Sequence, residues 1–177
     1  MTDEVHNPYA TPTAAVLEVI DPGEDLAPAD RATRLGAVLI DGLIGMALVF
    51  PIMYASGYWG RAMAQQIGVL ELVAWVVGGF VGFIALQGYP LHHWGQTWGK
   101  RLLGIRIVDL DGRKPDLVRL LGLRYAPVHL GTQVPFVGPV LSLVDSLMIF
   151  RNDRRCLHDL IAGTRVVKVA AMPPALP

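Results

Sequence analysis

Apolar residues fall into three long stretches separated by polar segments. The first covers residues 35–55 and is interrupted only by Asp41 and Pro51. The second covers residues 67–91, with Glu71 as its only formal charge. A helix rises about 1.5 Å per residue and the hydrocarbon layer of a bilayer is about 30 Å thick, so roughly 20 residues cross it. Each stretch therefore predicts one membrane-spanning helix.

The third stretch, residues 117–150, is too long for one straight span and short for two. Pro135, Gly138 and Pro139 interrupt it near its middle. We predict two shortened helices in a hairpin, at about 117–133 and 136–150. The alternative is a single span over 134–150 preceded by an amphipathic helix at the membrane surface. The predicted fold class is an all-α membrane protein, a four-segment transmembrane helical bundle with two long spans and a shorter helical hairpin.

Two polar segments predict a small cytoplasmic β element. Residues 105–110 and 165–169 are rich in β-branched side chains and adjoin turn residues. An unpaired strand leaves an open edge, so the two should pair. The remaining ends are predicted as a disordered acidic cytoplasmic tail at 1–30 and a C-terminal tail at 170–177, on either side of a transmembrane domain at 31–169.

Composition and charge agree with this organisation. Hydrophobic residues make up 53% of the chain and charged residues 17%, against about 25% charged in soluble domains. The acidic N-terminus lacks the basic start of a cleaved export signal, and the single cysteine excludes an internal disulfide. In a four-segment arrangement, 14 of the 15 Lys and Arg residues fall on one side, which the positive-inside rule assigns to the cytoplasm. We predict a multi-pass protein of the bacterial inner membrane with both termini cytoplasmic.

Charged residues inside hydrocarbon are costly, so each should have a partner or a role. Arg34, Asp41 and Asp145 are predicted to form an intramembrane polar cluster that faces the bundle interior. Arg34 and Asp41 share one helix face, about 10.5 Å apart along the axis. The cluster either locks helices together or provides a proton or cation pathway. Supporting residues are expected on the cytoplasmic face: Lys100, Arg101, Arg124, His158 and Asp159.

The sequence contains no nucleophile elbow, phosphate-binding loop or zinc-ligand spacing. We therefore expect no enzymatic activity, no metal site and no cofactor. The expected partners are anionic lipid headgroups at the basic segment 100–106, and a second copy of the chain or another membrane protein. Nucleic acid is not expected as a partner.

Three segments together resemble the RDD family of small bacterial membrane proteins over about residues 30–169. They are RATRLGAVLIDGLI, GQTWGKRLLGIRIVDLDGRKP and VDSLMIFRNDRRCLHDLIAGTRVVKV. The resemblance puts the arginine of the family name at Arg34 and its first aspartate at Asp41. Asp145 and Asp159 both lie in matching motifs for the second aspartate, and Asp145 is favoured as the intramembrane one. Transport is the function proposed for the family.

Two functional hypotheses follow. One is an oligomeric transporter that moves a cation or small solute past Asp41 and Asp145. Four short helices leave little room for a pathway within one chain, so transport would require an oligomer. The other is a non-transporting scaffold or assembly factor, whose acidic tail and basic face recruit partners.

The topology can be tested by cysteine labelling. A cysteine placed at Ser56 or Thr132 should react with a membrane-impermeant thiol reagent from outside the cell. A cysteine at Gly112 should not react, because it lies on the side that carries most of the basic residues. Labelling at Gly112 in intact cells would contradict the predicted orientation.

Overall fold

The computed structural model describes residues 26–134 and 136–169. The predicted tail at residues 1–25, Pro135 and residues 170–177 lie outside this range. The helices are α1 (Arg31–Ala55), α2 (Tyr58–Met63), α3 (Val69–Trp94), α4 (Trp98–Leu102), α5 (Leu117–Arg119), α6 (Ala126–Gly131), α7 (Val137–Leu147) and α8 (Leu157–Ala162). A π-helical segment (Leu120–Tyr125) joins α5 to α6, and a 3-10 turn (Met148–Phe150) extends α7. The two strands are β1 (Ile105–Asp109) and β2 (Thr164–Lys168).

Helices α1 and α3 have the length and composition of membrane spans. They contain 25 and 26 residues, about 37–39 Å of helix, against a hydrocarbon thickness of about 30 Å. In the most apolar 18-residue window of each helix, 6% of the residues of α1 and none of those of α3 are buried within the chain. Large aliphatic side chains such as Leu43 and Val81 therefore face outward. Soluble proteins rarely expose such extended apolar surface, so lipid is the environment that suits these helices.

The third apolar stretch forms two shorter helical units, as the sequence predicts. Residues 117–131 are continuously helical, and residues 137–150 form the second unit. Glycines let the two approach closely where they meet. A Cβ at Gly138 would lie 2.2 Å from the carbonyl oxygen of Thr132, and one at Gly131 would lie 2.4 Å from Leu141. Each unit is about 21–22 Å long, which is shorter than the hydrocarbon layer. Among the described residues, α1 and α3 are therefore the two helices long enough to cross it.

The π-helical segment changes which side chains share a face. In an α-helix, residues five apart point in clearly different directions, whereas the wider π turn brings them nearly into line. Arg119 and Arg124 are five apart across this segment, and both reach the same neighbour, α8 and the start of β2. Arg119 donates to the carbonyl oxygens of Ala162 and Gly163, and Arg124 donates to Asp159.

The predicted pairing of the two strands is confirmed. β1 and β2 are antiparallel, with Ile107 opposite Val166. The last residues of the predicted N-terminal tail extend this sheet, because Ala29 N–H donates to the carbonyl oxygen of Val166 at 3.0 Å and Pro28 bridges Val167. The sheet thus begins before residue 30, where the sequence places only a tail.

The buried core of the described residues lies at the sheet end of the molecule, not along the long helices. Its members come from α1, α3, the π segment, both strands and the short segment before α1: Ala37, Leu91, Leu120, Ile105, Ile107, Val166 and Ala29. Burial of this apolar cluster fixes the sheet against the ends of α1 and α3.

Short helix α4 lies directly against α1, and Gly99 makes this contact possible. A Cβ at Gly99 would lie 2.2 Å from the carbonyl oxygen of Ala37 and 3.0 Å from the Asp41 carboxyl group. Backbone occupies the first of these positions, so no side-chain movement could relieve the clash.

Gly99→Ala should therefore destabilise the protein by about 1–3 kcal/mol, the usual cost of overpacking. The measurement is thermal unfolding of purified protein in a mild detergent. Gly42→Ala is the matched control, since a Cβ there meets no atom within 4 Å. Equal unfolding temperatures for the two variants would contradict the proposed contact.

Candidate functional site

Asp159 is a fully buried carboxylate that holds two arginines from distant parts of the chain. Arg34, near the start of α1, donates through Nη2 to Oδ2 of Asp159 at 2.5 Å, and Arg124 donates to Oδ1. Both arginines are themselves buried, at 7% and 2% exposure. Thr164 and the backbone N–H of Cys156 complete the shell of Asp159 at 3.3 Å and 3.1 Å. We call Arg34, Arg124 and Asp159 the ion triad.

The charge state of Asp159 follows from its surroundings. Burial alone would raise its pKa, but Arg124, His158 and Arg34 together hold the pKa of this carboxyl group well below its usual range. The pKa of the neighbouring Cys156 thiol is raised to about 11, chiefly by burial. Cys156 therefore stays protonated at neutral pH.

Three groups that could ligate a metal ion meet at this point, which the sequence spacing did not indicate. Donor atoms of Cys156, His158 and Asp159 lie within 4.8 Å of one another. However, Asp159 already accepts from the two guanidinium groups, and the Sγ atom of Cys156 accepts from Arg34 at 3.5 Å. Two adjacent positive charges and a protonated thiol make this donor set a poor cation site.

Asp41 lies in a second set of contacts that ties α1 to α3 and α4. Its carboxylate accepts from the Nε2 of Gln87 at 3.0 Å, the hydroxyl of Thr97 at 2.5 Å and the backbone N–H of Gly99 at 2.8 Å. Gln87 in turn accepts from the backbone N–H of Trp98 at 3.0 Å. Three donors from three different residues hold the Asp41 carboxylate in a fixed position.

Within the part of the chain that the structure describes, Asp145 contacts His158 and no arginine. The backbone N–H of His158 donates to Oδ1 of Asp145 at 3.0 Å, and its Nδ1 lies 2.8 Å from Oδ2. Burial and the charge of Arg124 lower the pKa of His158. The imidazole is therefore mostly neutral at pH 7 and donates its Nδ1–H to the carboxylate.

A cavity of about 360 Å³ lies between the short helices and the two long ones. Its polar lining residues come from α4, the π segment, α6 with its C-terminal cap, α7 and α8. They are Lys100, Arg124, Tyr125, His129, Thr132, Asp145 and His158. The lining residues from Arg124 to Thr132 recur at helical spacing, so one helix face presents polar groups over about 12 Å. In this cavity Lys100, Asp145 and His158, which lie outside the ion triad and the Asp41 contacts, can meet a solute.

The two basic residues of α4 have different surroundings. Lys100 is buried, lines the cavity, and donates to the hydroxyl of Thr97 at 3.4 Å. Arg101 is exposed, and its guanidinium carbon lies 3.4 Å from the centroid of the Trp94 ring, a cation–π contact.

The residues that the sequence places in one cluster occupy three separate contact sets. Arg34 pairs with Asp159 and not with Asp145, so the predicted proximity of Arg34 to Asp145 gives way to the ion triad. Asp41 is held by Gln87, Thr97 and Gly99, and no arginine contacts it among the described residues. The reason is distance along α1, since about 10.5 Å of helix separates Arg34 from Asp41 and each meets different neighbours.

Sequence reasoning missed the partners of Asp41. Gln87 could have indicated one of them, because an amide in an otherwise apolar span needs a hydrogen-bond partner. Thr97 caps α4 and accepts from the backbone N–H of Lys100, although its segment reads as a simple turn.

Two long, exposed apolar helices point to a membrane protein. The chain belongs to the RDD family, which matches residues 28–163. The resemblance derived from the sequence is therefore confirmed.

Relatives of similar size share this region. The uncharacterized protein YckC of Bacillus subtilis (strain 168) is 35% identical over 128 residues, which cover 63% of this chain and 83% of YckC. An uncharacterized protein of Haemophilus influenzae is 28% identical over 144 residues, which cover 81% of this chain and 80% of that protein. No solved structure matches the chain.

Asp159→Asn tests the ion triad. The variant leaves two buried arginines facing a neutral amide, and breaking a buried ion pair costs about 3–5 kcal/mol. Thermal unfolding in detergent should show this loss. Asp153→Asn is the control, because Asp153 and its partner Arg151 are exposed and such pairs contribute about 0–1 kcal/mol. Equal effects would show that burial of the triad contributes nothing.

Acid sensitivity gives an independent check on the same carboxylate. The folded-state pKa of Asp159 lies below its unfolded value of about 3.9. Its contribution is complete above that value and is lost as the pH falls below about 4 towards the folded pKa. Wild type should lose stability more steeply than Asp159→Asn in this acid range.

Proposed function

We propose that the chain is a non-enzymatic subunit of an oligomeric, proton-coupled transporter in the bacterial inner membrane that moves a cation or small solute. In this arrangement the helical hairpin completes a four-segment bundle with α1 and α3. Both termini and the sheet lie in the cytoplasm, where the basic face meets anionic lipid headgroups. The polar cavity is the observation that supports the proposal most strongly.

The distribution of charge supports this orientation. The ion triad, Lys100 and the sheet lie at one end of the long helices, together with most of the basic residues. The other end carries the pair between Arg61 and Glu71, with 2.6 Å between Nη2 and Oε1. A basic layer at one end is the pattern that the positive-inside rule describes.

The proton site is assigned by position, because Asp145 is the aspartate that lines the cavity among the described residues. Asp159 is enclosed by two guanidinium groups, and Asp41 lies in the contacts that tie α1 to α3 and α4, outside the lining of this cavity. Asp145 faces a neutral imidazole and lines the cavity. Proton exchange is therefore assigned to the pair of Asp145 and His158, whereas Asp41 positions α4 beside α1.

The exposed groove between α1 and α3 supports the oligomer. It encloses about 470 Å³ and is lined by small residues, including Gly45, Gly78, Gly79 and Gly82. Small residues on a membrane helix let another helix approach closely. A neighbouring subunit seated here would complete the wall beside Asp41.

The second candidate, a scaffold or assembly factor, is favoured by a different observation. The ion triad and the Asp41 contacts are both saturated, as expected of residues that hold a fixed platform. In that case the cavity would have no transport role.

Asp145→Asn separates the two candidates. An amide still accepts a hydrogen bond from His158 but cannot titrate, so proton-coupled flux should fall at least tenfold while the protein stays folded. The measurement is proton uptake into liposomes containing purified protein, driven by gradients of candidate solutes. The control is Asp153→Asn, an exposed aspartate outside the cavity, which should keep wild-type flux. Unchanged flux in Asp145→Asn would contradict the assignment, and absence of flux in wild type would favour the scaffold.

A further inference from the structure

We propose that the cavity binds the anionic oxygen group of a ligand, a carboxylate or a phosphate, with Lys100 as the anchoring cation. As a statement of substrate class this inference rests on the proposed transport function, but the binding site can be tested without it. The observation that carries it is a buried lysine at the cavity wall whose ammonium group has few partners.

Lys100 is 8% exposed, which is rare for a lysine that has no carboxylate partner. Its ammonium group has three donors. Among residues 26–134 and 136–169, its one hydrogen-bond acceptor is the hydroxyl of Thr97 at 3.4 Å, and no carboxylate oxygen lies within the 4.0 Å of an ion pair. Thr97 already donates its proton to Asp41, so its hydroxyl can only accept from Lys100. Two donors of Lys100 are left for a ligand.

The wall beside Lys100 adds to this positive character. Arg124 lines the same cavity, and its Nε atom is buried without a hydrogen-bond partner. Arg124 shares the single charge of Asp159 with Arg34, so the ion triad carries a net positive charge. An unpaired buried donor destabilises the folded protein, and a nearby anion would offset part of that cost.

Charge in the cavity favours an anion over a cation. Lys100 and Arg124 repel cations, while Asp145 is the one carboxylate among the described lining residues of this cavity. An anion bound beside Lys100 would repel Asp145, and uptake of one proton by Asp145 and His158 would cancel that repulsion. Binding of an anion and uptake of a proton would thus favour each other, which is the coupling that proton symport requires.

The volume of about 360 Å³ suits a small organic acid or phosphate and lies within the usual range for ligand sites. The same anionic group could come from a free solute or from a lipid headgroup. The two sources share the chemistry that Lys100 recognises, and they differ in whether a soluble compound competes for the site.

The test is binding of succinate and inorganic phosphate to the purified full-length protein in an uncharged detergent, by titration calorimetry, with chloride at equal ionic strength as reference. Wild type should bind at least one of the two compounds. Lys100→Met should weaken binding at least tenfold, because a charge-assisted hydrogen bond is lost. Lys114→Met, an exposed lysine that donates to the carbonyl oxygen of His92, should leave binding unchanged.

A second variant, Asp145→Asn, distinguishes a loss of binding from a loss of folding. It removes the negative charge that opposes the ligand, so it should tighten anion binding several-fold, an effect that destabilisation cannot produce. Weaker or unchanged binding in this variant would overturn the inference. So would equal binding by wild type and Lys100→Met, or an equal loss in Lys114→Met.

Nanodiscs distinguish the two sources of the anion. If phosphatidylglycerol raises the unfolding temperature of wild type over phosphatidylcholine, and Lys100→Met abolishes the difference, the ligand is a lipid headgroup. Binding of soluble anions in phosphatidylcholine nanodiscs identifies a free solute. Absence of both effects overturns the site. Anion binding without flux would remove the transport proposal alone, and flux without anion binding would remove this inference alone.

Discussion

The buried ion triad is the interaction on which the rest of the structure depends. Asp159 joins the start of α1 to α8 across 125 residues of sequence, and Arg124 adds the π segment to the same point. Removing these charges from water is costly, and the attraction offsets that cost only when every partner is present. The three segments are therefore held together as a unit, and loss of one charge would leave another buried and unmatched.

The polar residues around this unit fall into two groups, those that hold helices together and those that line the cavity. Asp159 and Asp41 have their hydrogen-bonding capacity filled by neighbours, so they hold helices in place. Lys100 and the pair of Asp145 and His158 line the cavity instead. Arg34, Asp41 and Asp159 thus hold helices in place, apart from the residues that line the cavity.

The surroundings of the long helices place a further limit on the fold. Because α1 and α3 are almost unburied within the chain, their apolar surface contributes little to holding the chain together, and lipid or another subunit must cover it. The tertiary structure is instead secured at the sheet end, where the apolar core, the ion triad and the close contact at Gly99 coincide.

The sequence by itself determined the features that depend on local pattern. Apolar length sets the two long helices, glycine and proline divide the third stretch, and β-branched residues between turns set the strands, because each of these effects acts over a few neighbouring residues. Only the tertiary structure decided the partners of the charged residues. Arg34 pairs with Asp159 rather than Asp145, and Asp41 meets Gln87 and Thr97, because such contacts depend on how helices 46 to 125 residues apart pack together. The π turn added a change of helix register that brings Arg124 to Asp159, and no periodicity in the sequence marks it.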